Sequence, residues 1–354
     1  MNTKATGTWL VYGANGYTGR RIAGEAASRG LHPVLAGRDA SKIEPLAAEL
    51  HCASRVFSLT TPAEIATHLE GATAVLHCAG PFSATAAPMM EACLATGVHY
   101  LDITGEIDVI ESAAQRHDLA VAAGISLLPA VGMDVVPSDC LAARLAQMLP
   151  NAVKLELAFA GMLSVSHGTA ATIWENVGRG GRVRRAGQIV RVPVAWKAKE
   201  IPFHGGRQWA MTIPWGDVAS AFHTTGIPDI EVYAAMPASQ LKVLRGFRWL
   251  APLAGWKPVQ AAGRWWIDRR VRGPGSDELR QGRTEFWGRV TDAAGQSVEA
   301  TLETPNGYTL TVQASLAILQ QVLAGQVRPG FSTPALALGG EFIETLPDVV
   351  FRGP

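Results

Sequence analysis

The stretch Gly13-Ala14-Asn15-Gly16-Tyr17-Thr18-Gly19 constrains the fold more than any other. It spells G-x-x-G-x-x-G between a short β-favouring run, Thr8 to Tyr12, and a segment in which Ile22, Ala23, Ala26 and Ala27 take helical spacing. A chain that passes from strand to helix over so few residues presents its first helical amides to whatever lies beyond the sheet. Gly13 lets the chain turn off the strand, Gly16 lets the backbone approach a pyrophosphate, and Gly19 lets the helix pack on the sheet. The motif, with Asn15, Tyr17 and Thr18 in the same loop, therefore predicts a dinucleotide site.

The same alternation continues downstream. Gly30 supplies a left-handed stop before a second apolar run, His32 to Ala36. Helix-like Ser41 to Leu50, strand-like Arg55 to Leu59, helix-like Pro62 to Leu69 and strand-like Ala74 to Cys78 follow. A helix from about Thr85 to Thr96, a strand Tyr100 to Ile103, a helix Val109 to Ala123 and a strand Ile125 to Pro129 complete the pattern. Six short strands alternating with helices predict an α/β fold, a doubly wound parallel Rossmann sheet over residues 1–140.

The end of the second strand chooses between dinucleotides. An NAD site places an acid there to accept the ribose hydroxyls, whereas this chain reads Ala36-Gly37-Arg38-Asp39. Arg38 offers a forked, permanently charged donor suited to a 2′-phosphate, which predicts NADP(H). Asp39 is the rival ribose ligand, and equally suits an N-cap for the next helix. At the end of the fourth strand, Cys78-Ala79-Gly80-Pro81-Phe82 breaks the chain at the carboxyl edge of the sheet, where ligands bind in such folds. That turn is expected to hold the nicotinamide end or, alternatively, to be simple Gly and Pro punctuation.

From about Leu141 the alternation stops. Runs such as Lys154 to Ala160, Gln188 to Val194, Ile230 to Ala235, Thr284 to Val290 and Val298 to Leu302 predict a second α+β domain, residues 141–310, built on a mostly antiparallel sheet. Asp292 to Gln296 reads as a hairpin turn. A helix containing Leu316, Leu319, Val322 and Leu323 ends at Gly325, and another is expected over Pro334 to Phe342, capped by Thr333.

Two local features stand out in this half. Arg179, Arg182, Arg184, Arg185 and Arg191 crowd a glycine-bearing stretch, which suits either a phosphate dock or a solvated basic face. The segment 241–272 mixes Trp249, Trp256, Trp265 and Trp266 with Arg245, Arg248, Lys257, Arg264, Arg269 and Arg270. It suits a helix in a membrane interface, a cover for a lipophilic substrate, or a dimer surface.

Composition excludes several classes. Lysine and arginine number 31 against 30 acids, so the molecule as a whole has no field to draw in nucleic acid or a membrane, and any charged partner must be met locally. Cys52, Cys78, Cys93 and Cys140 form no C-x-x-C pair or zinc spacing, and no metal site is expected. No signal-peptide pattern or long apolar run is present, so the expectation is a cytoplasmic protein without a transmembrane segment. None of the tyrosines stands four residues before a lysine, which excludes the Tyr-x-x-x-Lys proton donor of short-chain dehydrogenases.

The remaining acid candidates stand where the later strands end: Tyr100, Asp102, Glu106, Asp134 and Asp139. Glu106 and Asp134 follow strand ends directly and are the candidate catalytic acids, with His167 of the second domain a third. Each also suits a cap or turn.

Taken together, several pieces resemble the saccharopine dehydrogenase-like oxidoreductases, in particular the branch with trans-acting enoyl reductases. They are Tyr12 to Gly19, Ala36 to Arg38, Cys78 to Phe82, Tyr100-Leu-Asp-Ile-Thr-Gly-Glu106, Gly132-Met-Asp-Val-Val-Pro-Ser-Asp139 and Gly307-Tyr-Thr-Leu-Thr311. The resemblance implies an NADP(H)-binding domain, a β-rich second domain with substrate and dimer contacts, and C-terminal helices from about 310–350 packing back on the first domain. A homodimer is expected on the same ground. Family chemistries range from making or breaking a secondary amine to reducing a lipid double bond.

The reading is a hydride-transferring, NADP(H)-dependent oxidoreductase acting on a small apolar substrate, lipid-like or thioester-linked, at C=C or C=O. A saccharopine- or opine-type C=N reductase and a non-catalytic NADP(H) sensor are the alternatives.

Overall fold

The computed structural model describes residues 7–161, 170, 174, 178, 180–247, 255–270, 275 and 281–354. The chain divides into two compact units: Met1–Val136 with Tyr308–Leu338, and Pro137–Gly307 with Gly339–Pro354.

In the first unit, strands β1 (Trp9–Tyr12), β2 (Val34–Gly37), β3 (Ser54–Val56), β4 (Ala74–His77), β5 (His99–Asp102) and β6 (Ser126–Leu128) are all parallel. A seventh, Gly330–Phe331, pairs with the outer side of β6. The order across the sheet runs from that strand through β6, β5, β4, β1 and β2 to β3. Every residue of β1, β2 and β4 is buried, as a sheet covered on both faces requires.

The connecting helices are α1 (Tyr17–Ser28), α2 (Ala40–Glu49), α3 (Pro62–Leu69), α4 (Phe82–Thr96), α5 (Ile107–Ala114) and α6 (His117–Ala123). Strand order reverses between β1 and β4. Right-handed crossovers therefore put α1 and α2 on one face and the later helices on the other, opening a crevice at the carboxyl ends of β1 and β4.

Two sequence expectations change here. The helix expected over Val109 to Ala123 is two, because the chain leaves helical geometry at Arg116, whose guanidinium holds Ser112 (2.8 Å to its carbonyl) and Glu91 (2.7 Å). The helix expected over Pro334 to Phe342 ends at Leu338, where Gly339 adopts φ +85° and a 3₁₀ turn, Gly340–Thr345, follows.

In the second unit, α7 (Val136–Met148, whose first residue closes the first unit) leads into β7 (Ala152–Ala160). The next strands are β8 (Gly181–Arg185), β9 (Gln188–Val192), β10 (Ala198–Phe203) and β11 (Gly206–Thr212). Helix α8 (Asp217–Thr225) then precedes β12 (Asp229–Ala235), β13 (Arg283–Asp292) and β14 (Ser297–Pro305). Among the described residues these strands and Val350–Arg352 form a nine-stranded sheet, antiparallel except where β12 runs parallel to β7. Segment 310–350 is thus shared: residues up to Leu338 belong to the first unit and those from Gly339 to the second.

Alternation along the strands sorts the two faces. Gly288 leaves room on one for Leu141 and Leu145 of α7, since a β-carbon there would meet Leu145 Cδ1 at 2.5 Å. The other carries the core of Ala158, Ala160, Ile201, Phe203, Ala210, Tyr233 and Trp287. Beside it, Glu156 and Glu231 stand in register. Each of these buried carboxylates is paired: Glu156 with Lys154 and Lys199 (2.9 Å each), Glu231 with Arg185 and Lys197.

Candidate active site

The glycine loop touches both of its neighbours at the crevice. The N–H groups of Gly13 and Ala14 donate to the Ala36 carbonyl at 2.8 and 3.1 Å, tying the loop to the end of β2. Gly13 lies at φ +83°, and a β-carbon there would come within 2.9 Å of Ala79 N and Cβ, so the loop also abuts the turn after β4. A β-carbon on Gly19 would sit 2.3 Å from the Gly13 carbonyl oxygen, so α1 can press against the loop only because that side chain is absent. Helix α1 starts at Gly16 with no side-chain cap and no acid in its first turn, which leaves its positive end for an anion.

Asn15, Tyr17 and Thr18 lie around this helix start. Asn15 is exposed, with its Oδ1 beside Gly37. The Tyr17 ring meets Tyr308 edge-on at a centroid distance of 4.9 Å. Tyr308, part of the Gly307 to Thr311 motif, is brought by the fold to the first residue of α1.

Asp39 proves to be the cap of α2. Its carboxylate accepts from Ser41 N (3.1 Å) and Ser41 Oγ (2.7 Å) and pairs with Lys42 (3.2 Å), and these bonds hold its pKa below the usual value. Arg38, next to it, is exposed and takes no ion pair among the described residues. The cation, rather than the acid, is therefore available at the end of β2, as an adenosine 2′-phosphate requires.

The Cys78 to Phe82 turn is held from three sides. Cys78 N–H donates to the Tyr12 carbonyl (2.8 Å). Thr85 Oγ lies within hydrogen-bond reach of the Ala79 (2.7 Å) and Pro81 (3.0 Å) carbonyls, and His77 Nε2 approaches it at 3.0 Å. The Phe82 and Ser83 amides both donate to Glu106 at 2.9 Å. Burial, with Asp102 nearby, pushes the Cys78 thiol up, so it is not a nucleophile at neutral pH. His77 was not singled out in the sequence: it is wholly buried among the Tyr12, Phe82 and Tyr100 rings, and burial pulls it down to about 3.

The structure sorts the acids by what already holds them. Glu106 caps α4 with both oxygens, a bond that a charged acceptor makes well at a helix N-terminus. Glu106→Gln, which keeps one acceptor and loses the charge, is expected to lower stability by about 1–2 kcal/mol in urea unfolding.

Asp102 is buried and accepts from Tyr100 OH (2.6 Å), Thr104 N (2.9 Å) and Ala130 N (2.8 Å), locking the ends of β5 and β6 together. Burial carries its pKa to about 6 despite these bonds. Asp139 lies in the second unit, accepting from Thr224 Oγ (2.6 Å). His167 lies outside the described residues.

Asp134 follows β6 at the same carboxyl edge, and its Oδ2 lies 2.7 Å from where a Gly105 β-carbon would stand. Burial raises its pKa to about 7, so near neutrality it carries a transferable proton.

In the second unit the arginine stretch is largely committed. Arg184 is buried, donating to the Val218 (2.8 Å) and Gly187 (2.7 Å) carbonyls, and Arg185 pairs with Glu231, while Arg179 lies outside the described residues. A phosphate dock built on Arg184 and Arg185 has no support in this arrangement. The same unit holds an apolar cavity of about 420 Å³ lined in part by Phe159, Trp209, Ala235 and Met236. Among the described residues no cluster of three or more His, Cys, Asp or Glu could hold a metal ion, and no helix is long and apolar enough to cross a membrane.

Residues 9–128 match the family model of the saccharopine dehydrogenase NADP-binding domain. This stretch is a saccharopine dehydrogenase-type NADP-binding domain. The loop glycines, the uncapped positive end of α1 and Arg38, which takes no ion pair among the described residues, all fit NADP(H), which is its cofactor.

Similar curated proteins include the saccharopine dehydrogenase-like oxidoreductase of Bos taurus, 28% identical over 150 residues, 37% of this chain and 35% of that protein. The trans-acting enoyl reductase of Mycobacterium leprae is 30% identical over 138 residues, 37% of this chain and 33% of that one. Each match thus spans about a third of the relative's length.

Over the whole chain the fold is that of saccharopine dehydrogenase (L-Glu forming) from Saccharomyces cerevisiae. The TM-score is 0.65 at 11% identity, over 98% of this chain and 99% of the other.

Proposed function

We propose that the protein is an NADP(H)-dependent oxidoreductase that acts on a small apolar substrate at a C=C or C=O bond, with Asp134 exchanging the proton. The observation that carries the reading is the meeting of the loop after β1, the end of β2 and the turn after β4, with a proton-bearing carboxyl following β6 at the same edge. NADPH, when bound, supplies the hydride.

The chain's residues do the rest. The loop amides and α1 hold the pyrophosphate, Arg38 the 2′-phosphate, and the turn after β4 the nicotinamide end. Glu106 keeps that turn in place from α4. Asp134 holds a proton at its carboxyl and returns it to the atom left negative in the substrate. The tryptophan-rich second half of the chain, and the relatives named trans-acting enoyl reductase, favour an apolar substrate and a C=C bond.

The test is NADPH oxidation, followed by absorbance, against enoyl thioesters, lipophilic aldehydes and ketones, and keto acids paired with amines, with NADH in parallel. Turnover with the first two classes supports the reading. Turnover confined to the amine mixtures makes it a C=N reductase, and tight NADPH binding without turnover on any class makes it a sensor. Arg38→Ala is expected to weaken NADPH binding by roughly 10- to 100-fold and leave NADH binding within about twofold, read by titrating cofactor fluorescence.

A further inference from the structure

The chain as a whole is nearly neutral, yet residues 241–272 hold eight lysines and arginines against one acid, Asp268. Two described helices fall in or across this segment, Ala238–Phe247 and Lys257–Arg270. The second has a well-defined inner side. Ile267 is buried, the Trp174 indole N–H donates to the Gln260 carbonyl (3.2 Å) while Gln260 Nε2 donates to the Trp174 carbonyl (3.1 Å), and Gly263 lies flat against the Trp174 ring, where a β-carbon would clash.

The opposite side, at helical spacing, carries Ala262, Trp265 and Arg269, with Trp266 adjoining. Trp256, Trp265 and Trp266 are 65%, 58% and 56% exposed, and Arg269 stacks over the Trp265 ring at 4.0 Å. On the first helix Leu244 is 40% exposed beside Lys242 and Arg245.

An exposed tryptophan leaves a large apolar ring in water, and three in eleven residues, among cations, is more than a solvated face explains. Tryptophan prefers the headgroup level of a bilayer, where its ring meets acyl chains and its N–H meets water. Arginine on the same side adds attraction to anionic headgroups. A nucleic-acid duplex, its bases already stacked on one another, would use the positive charge but not the exposed apolar rings beside it.

We propose that the helix Lys257–Arg270, with the basic end of Ala238–Phe247, docks the protein on an anionic lipid surface. The helix lies in the interface with Trp265 and Trp266 at the headgroup level. The attachment is peripheral and electrostatic, so it depends on salt. It stands independently of the chemistry proposed above.

Co-sedimentation of the full chain with vesicles of phosphatidylcholine, with and without about 30% phosphatidylserine, tests it. At about 0.1 M salt the anionic vesicles are expected to bind the protein at least ~10-fold more strongly than neutral ones, and about 1 M salt to abolish the difference. Arg264→Gln with Arg269→Gln, and separately Trp265→Ser with Trp266→Ser, are each expected to cut binding to anionic vesicles ~10-fold. NADPH affinity, which reports a folded first unit, is expected to stay unchanged in both variants.

Equal binding to both vesicle types overturns the proposal, as does wild-type binding by either variant. So does a shift of the tryptophan variant to a smaller oligomer without loss of vesicle binding, which would make the face a contact between copies. Tighter binding to a DNA duplex than to anionic vesicles would also overturn it.

Discussion

Asp134→Asn is expected to lower turnover by roughly 10²- to 10⁴-fold while NADPH affinity stays within about twofold. Asparagine has nearly the same shape but no proton to give at neutral pH, so the loss falls on the chemical step and not on cofactor binding. The wild-type pH profile carries the same signature. Burial lifts the Asp134 carboxyl to about 7, so reduction, which needs the protonated acid, should decline as pH rises through 7, and the reverse reaction should increase. The variant should lose this limb in both directions.

Stability offers a second check that involves no substrate. The folded carboxyl keeps its proton up to about pH 7, whereas the unfolded one releases it near 4. The stability Asp134 lends is therefore complete below about pH 4 and lost as pH rises through 7. Urea unfolding should find the variant more stable relative to wild type at pH 8 than at pH 4.

Gly19→Ala should be as damaging to cofactor binding as Asp134→Asn is to turnover. The new β-carbon would stand 2.3 Å from the Gly13 carbonyl oxygen, 2.9 Å from its carbon and 3.1 Å from Ala14 Cα. All three are backbone atoms of the loop, so no side chain can swing aside. Either α1 lifts from the loop or the loop moves out of line with α1's amides. NADPH affinity is expected to fall at least ~100-fold, with a destabilisation of about 2–4 kcal/mol. Gly24→Ala, on the same helix with nothing within 4 Å of the added carbon, is the matched control and should leave both quantities close to wild type.

The parts of the site held by local chain geometry were legible in the sequence. The loop between β1 and α1 needs glycines at set places, and Arg38 follows β2 at a distance the βαβ unit dictates. What depends on remote packing was not. The motif Gly132 to Asp139 does not reveal that burial turns Asp134 into a neutral-pH acid. Nor did Tyr100-Leu-Asp-Ile-Thr-Gly-Glu106 disclose that Asp102 clamps β5 to β6 while Glu106 reaches across to cap α4.

In the second unit, strands such as Val298 to Leu302 announced themselves by alternation, being wet on one face. The parallel pairing of β7 with β12 carries no such mark, because the partners are far apart in the chain. Two-residue Gly330–Phe331 is too short to show any period.

That short strand sets when the NADP-binding domain can be completed. Its partner residues, Ser126 and Leu127, leave the ribosome about 200 residues before Gly330 and Phe331 do. At roughly 5–20 residues per second, the sheet waits roughly 10–40 s for its last strand while the other unit is synthesised. During that interval the edge of β6 is bare backbone, the kind of edge that recruits strands from other chains. The length of the intervening segment thus sets how long the nascent chain is exposed to misassembly.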